Sequence, residues 1–155
     1  MTNQRFDYIH HAAAAYRGLI ALETALHQQS LIEPALIDLV KLRVSQINGC
    51  AYCIDIHSKD LRARGDSEQR LYALAAWEDC PYYTERERAA LAWAEAITQL
   101  DDGHVSDEVY ERVKVQFAED ALSFLTFVCA AINAWNRIAI PSRQTPGGYI
   151  SKVRS

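Results

Sequence analysis

Two cysteines three apart and a histidine four residues further on, Cys50, Cys53 and His57 in the stretch "INGCAYCIDIH", are the residues of this chain best placed to do chemistry together. On a helix, positions i, i+3 and i+7 share one face, so the three side chains can converge without help from elsewhere. Gly49, just before the pair, reads as the end of one helix, which puts both cysteines in the first turn of the next. Unpaired N–H groups and the helix dipole there favour a thiolate, the nucleophilic form of cysteine. The C-x-x-C spacing also lets one thiol close a disulfide onto the other, the minimum machinery of a reversible redox cycle. Zinc is the main rival, because Cys and His are its ligands. A zinc site, however, needs a fourth partner or an open position, and the remaining cysteines, Cys80 and Cys129, stand alone. Covalent haem needs a histidine directly after the second cysteine, where this chain has Ile54. Two half-buried cysteines beside a surface histidine is the plain structural alternative; the spacing puts redox chemistry ahead of it.

The elements that must position these residues read as helices. Glycine and proline together are scarce, six and four, and no strand-like alternation of useful length occurs. A first helix is expected over residues 6–28. A second should start near Pro34, which suits a first helical turn, and keep its apolar period through Leu36, Leu39, Val40, Val44 and Ile47 until Asn48 and Gly49 break it. The cysteine helix follows, over residues 50–65, ending in the basic "RAR". Ser67 caps a short helix through residue 77, "DCPYY" is a loop, and Thr84 with Glu87 forms a capping box before "RAALAWAEAITQL". After the turn "DDGH", helices are expected over residues 106–117 and 120–140, the second buried because its apolar run of twelve residues is too short for a bilayer. Residues 141–155 read as an extended or frayed C-terminal tail. The expected fold is an all-α bundle of about seven helices in a single domain spanning 1–155. Aligning "ALIDLVKLRVSQIN" with "DALSFLTFVCAAIN" also shows a faint internal echo that ends in Ile-Asn both times.

Composition narrows the function classes. Sixteen basic against twenty acidic side chains give a net charge of −4, spread rather than blocked, which argues against nucleic-acid binding. The N-terminus "MTNQRFDYIHHAAAAYRG" does not have the pattern of a secretion signal, and with no spanning segment a cytoplasmic protein without a membrane partner is expected. In a reducing compartment a close cysteine pair is more often catalytic or metal-binding than structural. Cys129 reads as a small core residue and Cys80 as a loop thiol, His10 and His11 as solvated. Arg137, Asn133 and Asn136 are expected to cap or cross-link helices.

The segment "LVKLRVSQINGCAYCIDIHSKDLRARGD", with "ERERAALAWAEAIT" and "INAWNRIAI", resembles the AhpD-like alkylhydroperoxidase branch of the carboxymuconolactone decarboxylase family. The resemblance extends over nearly the whole chain. It implies an all-α fold with a helical repeat, assembly into trimers or hexamers, no cofactor or metal, and reduction of a hydroperoxide substrate at the expense of an external dithiol reductant. It further implies that Cys53 attacks the peroxide, that Cys50 closes the disulfide, and that His57 belongs to a proton relay. Twelve residues before the first cysteine, where the family has a relay glutamate, this chain has Asp38, shorter by one methylene or about 1.5 Å. If the helices flanking Gly49 fold back, Asp38 and His57 lie about 16 and 12 Å from the turn at about 1.5 Å per residue, and can meet across the hairpin. The alternative for Asp38 is an ion pair with Lys41 or Arg43; Glu33 is a second carboxylate outside the motif. Tyr52 stands where some members have a histidine. It can donate a hydrogen bond to a thiolate or bound oxygen, or simply pack. Two other readings stay open: a redox-sensing or binding oligomer with little turnover, and a decarboxylase-like enzyme that does not need the cysteines.

Overall fold

The structure is a computed structural model describing residues 4–100 and 103–153. Its elements run α1 (Tyr8–His11), α2 (Ala13–Gln28), α3 (Pro34–Asn48), α4 (Ala51–Ala63), α5 (Glu68–Ala73), a 3₁₀ segment (Leu74–Asp79), α6 (Glu85–Gln99), α7 (Asp107–Gln116) and α8 (Glu119–Ser142). Among the described residues there is no strand, and the all-α expectation holds.

Helix α3 is the centre of the bundle, packed against α4, α6 and α8. Pro34 opens it in the first turn, where its missing N–H costs nothing. Nine of its residues are buried, so it is enclosed on nearly every side rather than merely amphipathic. Asp38, Lys41 and Ser45 are among the nine, and each buried polar group must find a partner. Gly49 ends the helix in the left-handed region at φ 71°, and the Cys50 N–H returns to the Ser45 carbonyl at 2.9 Å. That conformation would cost a side-chain-bearing residue about 1 kcal/mol or more, and it folds α4 back against α3.

Several elements differ from the sequence expectation. The first helix is broken at Ala12 (φ −123°, ψ 39°), after Asp7 has capped the short α1 by accepting from the Ile9 and His10 N–H groups. The segment capped by Ser67 leaves α-helical form at Leu74 and tightens into the 3₁₀ stretch. The Thr84–Glu87 capping box is present. Of the "DDGH" turn, Asp101 and Asp102 lie outside the described residues; Gly103 has the positive φ, 79°, of a turn.

The last helix is 24 residues, twice the apolar run that signalled it, and runs through Pro141 to Ser142. By length and composition it could cross a membrane. It instead packs against α2, α3, α4, α6 and α7 and buries ten of its residues. The two segments of the internal echo therefore lie in contact, α3 on α8, and their equivalent asparagines meet: Asn48 Nδ2 donates to Asn133 Oδ1 at 2.9 Å. Over residues 144–153 the chain is extended but pinned, not frayed. The Gly147 N–H donates to Asp55, Lys59 donates to the carbonyls of Gly147 and Tyr149, and Tyr149 and Ser151 donate to Asp60.

Candidate active site

The Gly49 turn makes Cys50 the N-cap of α4, and Cys53 follows in its first turn. Their Sγ atoms are 2.7 Å apart and share a hydrogen bond; both residues are free thiols and buried. Which sulfur keeps the proton follows from the surroundings. Cys50 Sγ accepts the Cys53 backbone N–H at 3.4 Å, as an N-cap side chain does. The thiol hydrogen bond from Cys53, opposed by burial and aided by this N–H and by Asn136, brings the Cys50 thiol down to about 7. The Cys53 thiol is pushed up, first by holding the shared hydrogen bond to Cys50, then by burial. As the pH rises past about 7 the two come to share one negative charge and one proton.

Asp38 and His57 meet across the α3–α4 hairpin. His57 Nδ1 lies 3.3 Å from Asp38 Oδ1, and Arg64 Nε donates to Asp38 Oδ2 at 2.8 Å. Burial would push the Asp38 carboxyl up, but hydrogen bonds and charge from His57 and Arg64 outweigh it and hold it below its ordinary value. A carboxylate only accepts, so the Nδ1–H of His57 donates and Nε2 is left to handle a proton. The shorter side chain thus still reaches His57 directly. The alternative partners are taken elsewhere: Lys41 pairs with Glu23, Arg43 with Glu95, and Glu33 with Arg86.

Cys53, His57 and Asp38 line a cavity of about 490 Å³, whose apolar walls include Ile9, Ile20, Ile132 and Trp135. Cys50 does not line it; it borders a smaller neighbouring cavity of about 330 Å³, and Tyr52 lines both. Burial, then repulsion from Cys53 were that thiol to ionise, pushes the Tyr52 phenol up, so it stays a neutral donor.

Sequence reasoning missed part of this site. Lys41 is only 2% exposed, and Glu23, its partner, also accepts from Trp135 Nε1 at 2.9 Å; all three line the larger cavity. Arg64 was expected to serve the helix terminus and instead holds Asp38. Asp60 is buried under the C-terminal arm. A signal existed for two of these, since Cys53, His57, Asp60 and Arg64 follow one helical stripe. Asp38, His57 and Asp60 offer ligand atoms within 4.8 Å of one another, a spacing a cation can bridge. Their oxygens already accept from Arg64, Tyr149 and Ser151, and the cysteines that suggested zinc are not in the cluster.

This helical bundle with a C-x-x-C thiol pair facing a buried carboxylate and histidine is that of an AhpD-like protein. Residues 13–96 match the family model described as the carboxymuconolactone decarboxylase family, and the chain belongs to that family. It is 41% identical over 138 residues to the uncharacterised protein YdfG of Bacillus subtilis, covering 89% of this chain and 93% of that one. The crystal structure of ATU0492 from Agrobacterium tumefaciens, described as a protein of unknown function and a candidate antioxidant defence protein AhpD, superposes with a TM-score of 0.89 at 36% identity, covering 95% of this chain and all of that one. An uncharacterised peroxidase-related protein from Ralstonia eutropha, described as an alkylhydroperoxidase AhpD core, shares the fold with a TM-score of 0.80 at 19% identity, over 90% of this chain and 74% of that one.

Proposed function

We propose that the chain is a thiol-dependent peroxidase of the alkylhydroperoxidase type, cycling Cys50 and Cys53 between dithiol and disulfide. The observation that supports this best is that Cys53, bonded to Cys50 within the buried thiol pair, opens on the same cavity as the Asp38–His57 pair. Cys53 is the attacking sulfur because it borders the cavity, and as the thiol of higher pKa it is the stronger nucleophile once ionised. His57 Nε2, directly or through a water, takes the Cys53 proton. The Cys53 thiolate then attacks the terminal peroxide oxygen. The O–O bond breaks, the sulfur becomes a sulfenic acid, and the alkoxide leaves as alcohol with the proton returned by His57. Cys50, already a thiolate, attacks Cys53 Sγ and expels hydroxide, which is protonated to water as the disulfide closes. An external dithiol restores both thiols by exchange and is itself oxidised to a disulfide.

Asp38 orients the histidine and fixes the tautomer that leaves Nε2 free; His57 and then Arg64 hold the Asp38 carboxyl below its ordinary value. Tyr52 can donate to the thiolate or to the peroxide oxygen. Cytoplasmic residence and assembly into trimers or hexamers belong to the same reading. Apolar side chains such as Val115 (77% exposed) and Phe127 (57%) on the outer helix faces suit subunit contact. The test is steady-state consumption of cumene hydroperoxide with dithiothreitol. Turnover that disappears in both Cys53→Ser and Cys50→Ser supports the cycle. Turnover that survives in Cys53→Ser contradicts it and favours a reaction that does not use the thiols.

A further inference from the structure

Next to the thiol pair lies a chain of amides, Asn136 buried and Asn48 and Asn133 half-buried, whose orientation can be worked out link by link. Asn133 Nδ2 donates to the Cys129 carbonyl at 2.9 Å, and a carbonyl can only accept, so this nitrogen is fixed. Its Oδ1 must then face Arg137, which donates at 2.7 Å, and Asn48. Asn48 therefore turns its NH₂ inward, and gives one proton to Asn133 Oδ1 and the other to Asn136 Oδ1, both at 2.9 Å. With its oxygen held, Asn136 presents its NH₂ on the opposite side. One proton goes to Ser45 Oγ at 3.1 Å, an acceptor because the Ser45 hydroxyl proton is committed to the Lys41 carbonyl. Asn136 is fully buried and is a hydrogen-bonding neighbour of both sulfurs.

We propose that Asn136 is the side-chain donor that holds the negative charge of the Cys50–Cys53 pair, and that Asn48 is the positioning residue that aims its amide there. Nothing in this arrangement requires contact with substrate. It works because a buried anion is stabilised by a donor that is already in place and cannot turn away. Hydrogen bonds from Asn136 favour the ionised form of both thiols. The titratable neighbours of the pair, Tyr8 of α1, Tyr16 of α2, Asp38 of α3, and Tyr52 and His57 of α4, line the cavity side and are left intact by the variants below. This inference deepens the dithiol reading of the same site and does not depend on peroxide being the oxidant.

The experiment is the pH profile of iodoacetamide alkylation, site-resolved by peptide mass, in the full-length reduced protein. In Asn136→Leu the midpoint should rise by about one to two pH units, and the rate at pH 7 should fall about five- to fiftyfold. Asn136→Asp is isosteric and keeps the acceptor for Asn48. It serves if the leucine variant does not fold, and should rise at least as far because it sets a carboxylate beside the sulfurs. Asn48→Ala, which frees the amide to turn, should shift the midpoint in the same direction by less. Thr98→Val removes a partner of Asn133 at the far end of the chain and should leave the midpoint in place. A folded Asn136 variant with the wild-type profile overturns the proposal, as does a Thr98→Val shift equal to that of Asn136→Leu, which would make the effect general loosening. Because alkylation reads the thiolate alone, absence of peroxide turnover would sink the proposed function and leave this test standing.

Discussion

Asp38 Oδ1 and His57 Nδ1 lie 3.3 Å apart although they sit on different helices, brought together because Gly49 folds α4 back on α3. The contact is made by an aspartate, with Arg64 on its other oxygen. Lengthening the side chain therefore has nothing to gain. Asp38→Glu should leave peroxide turnover unchanged or lower it, while Asp38→Asn should lower it at least tenfold, by general acid–base estimates. A several-fold gain in Asp38→Glu would mean that the relay is incomplete as it stands.

The thiol pair sets a pH dependence. The Cys50 thiol is lowered to about 7 from the ordinary 9.0, so the thiolate fraction grows as pH rises through 7. Closure of the disulfide, the step in which the Cys50 thiolate attacks oxidised Cys53, should speed up between about pH 6 and 8 and then flatten. The stability effect has the matching sign: a depressed acid stabilises the fold above its unfolded pKa near 9, and that contribution is lost as pH falls through about 7. Denaturant melts at pH 7 and 9 should differ by more in the wild type than in Cys50→Ser, and equal differences would place the thiolate elsewhere.

Lys41 and Glu23 form an ion pair in which the lysine is almost wholly enclosed, at 2% side-chain exposure against 17% for the glutamate. Glu23→Gln leaves that ammonium without its counter-charge and should cost about 3 kcal/mol. Lys41→Met fills the same space without a charge, and the double variant should recover most of the loss. Urea melts of the two single variants and the double variant decide it; an additive double-mutant cycle would show that the pair is not coupled.

These residues also mark how far the sequence could be read. The helix order, the Gly49 break, the Thr84 capping box and the Cys50–Cys53–His57 face are local, and short-range spacing shows them. The Lys41–Glu23 and Arg64–Asp38 pairs join residues 18 and 26 positions apart on different helices, and no local period reports which helices touch. Lys41 even falls among the buried positions of α3, where a lysine would ordinarily mark a solvated face. The Ala12 break escaped for another reason: an alanine carries no turn signal, and the Ala12 N–H still bonds to the Tyr8 carbonyl across the kink at 3.0 Å.

The C-terminal arm is a wall of the cavity as well as a cover for α4. Tyr149 and Lys152 line it, and Tyr149 with Ser151 supplies the donors of Asp60, a carboxylate only 8% exposed. Ending the chain after Gln144 should lower stability by about 1–3 kcal/mol, the range for hydrogen bonds to a charged group. It should also speed alkylation of Cys53 at fixed pH. If neither the melt nor the alkylation rate moves, the arm is not part of the site.

The central claim is that peroxide drives the two neighbouring sulfurs into a bond with each other. Native, reduced protein treated with one equivalent of hydroperoxide, quenched by alkylation and mapped by peptide mass, measures this directly. The account predicts a Cys50–Cys53 disulfide, with Cys80 and the buried Cys129 still thiols. Recovery of Cys50 and Cys53 as unmodified thiols from folded protein after that treatment would contradict it.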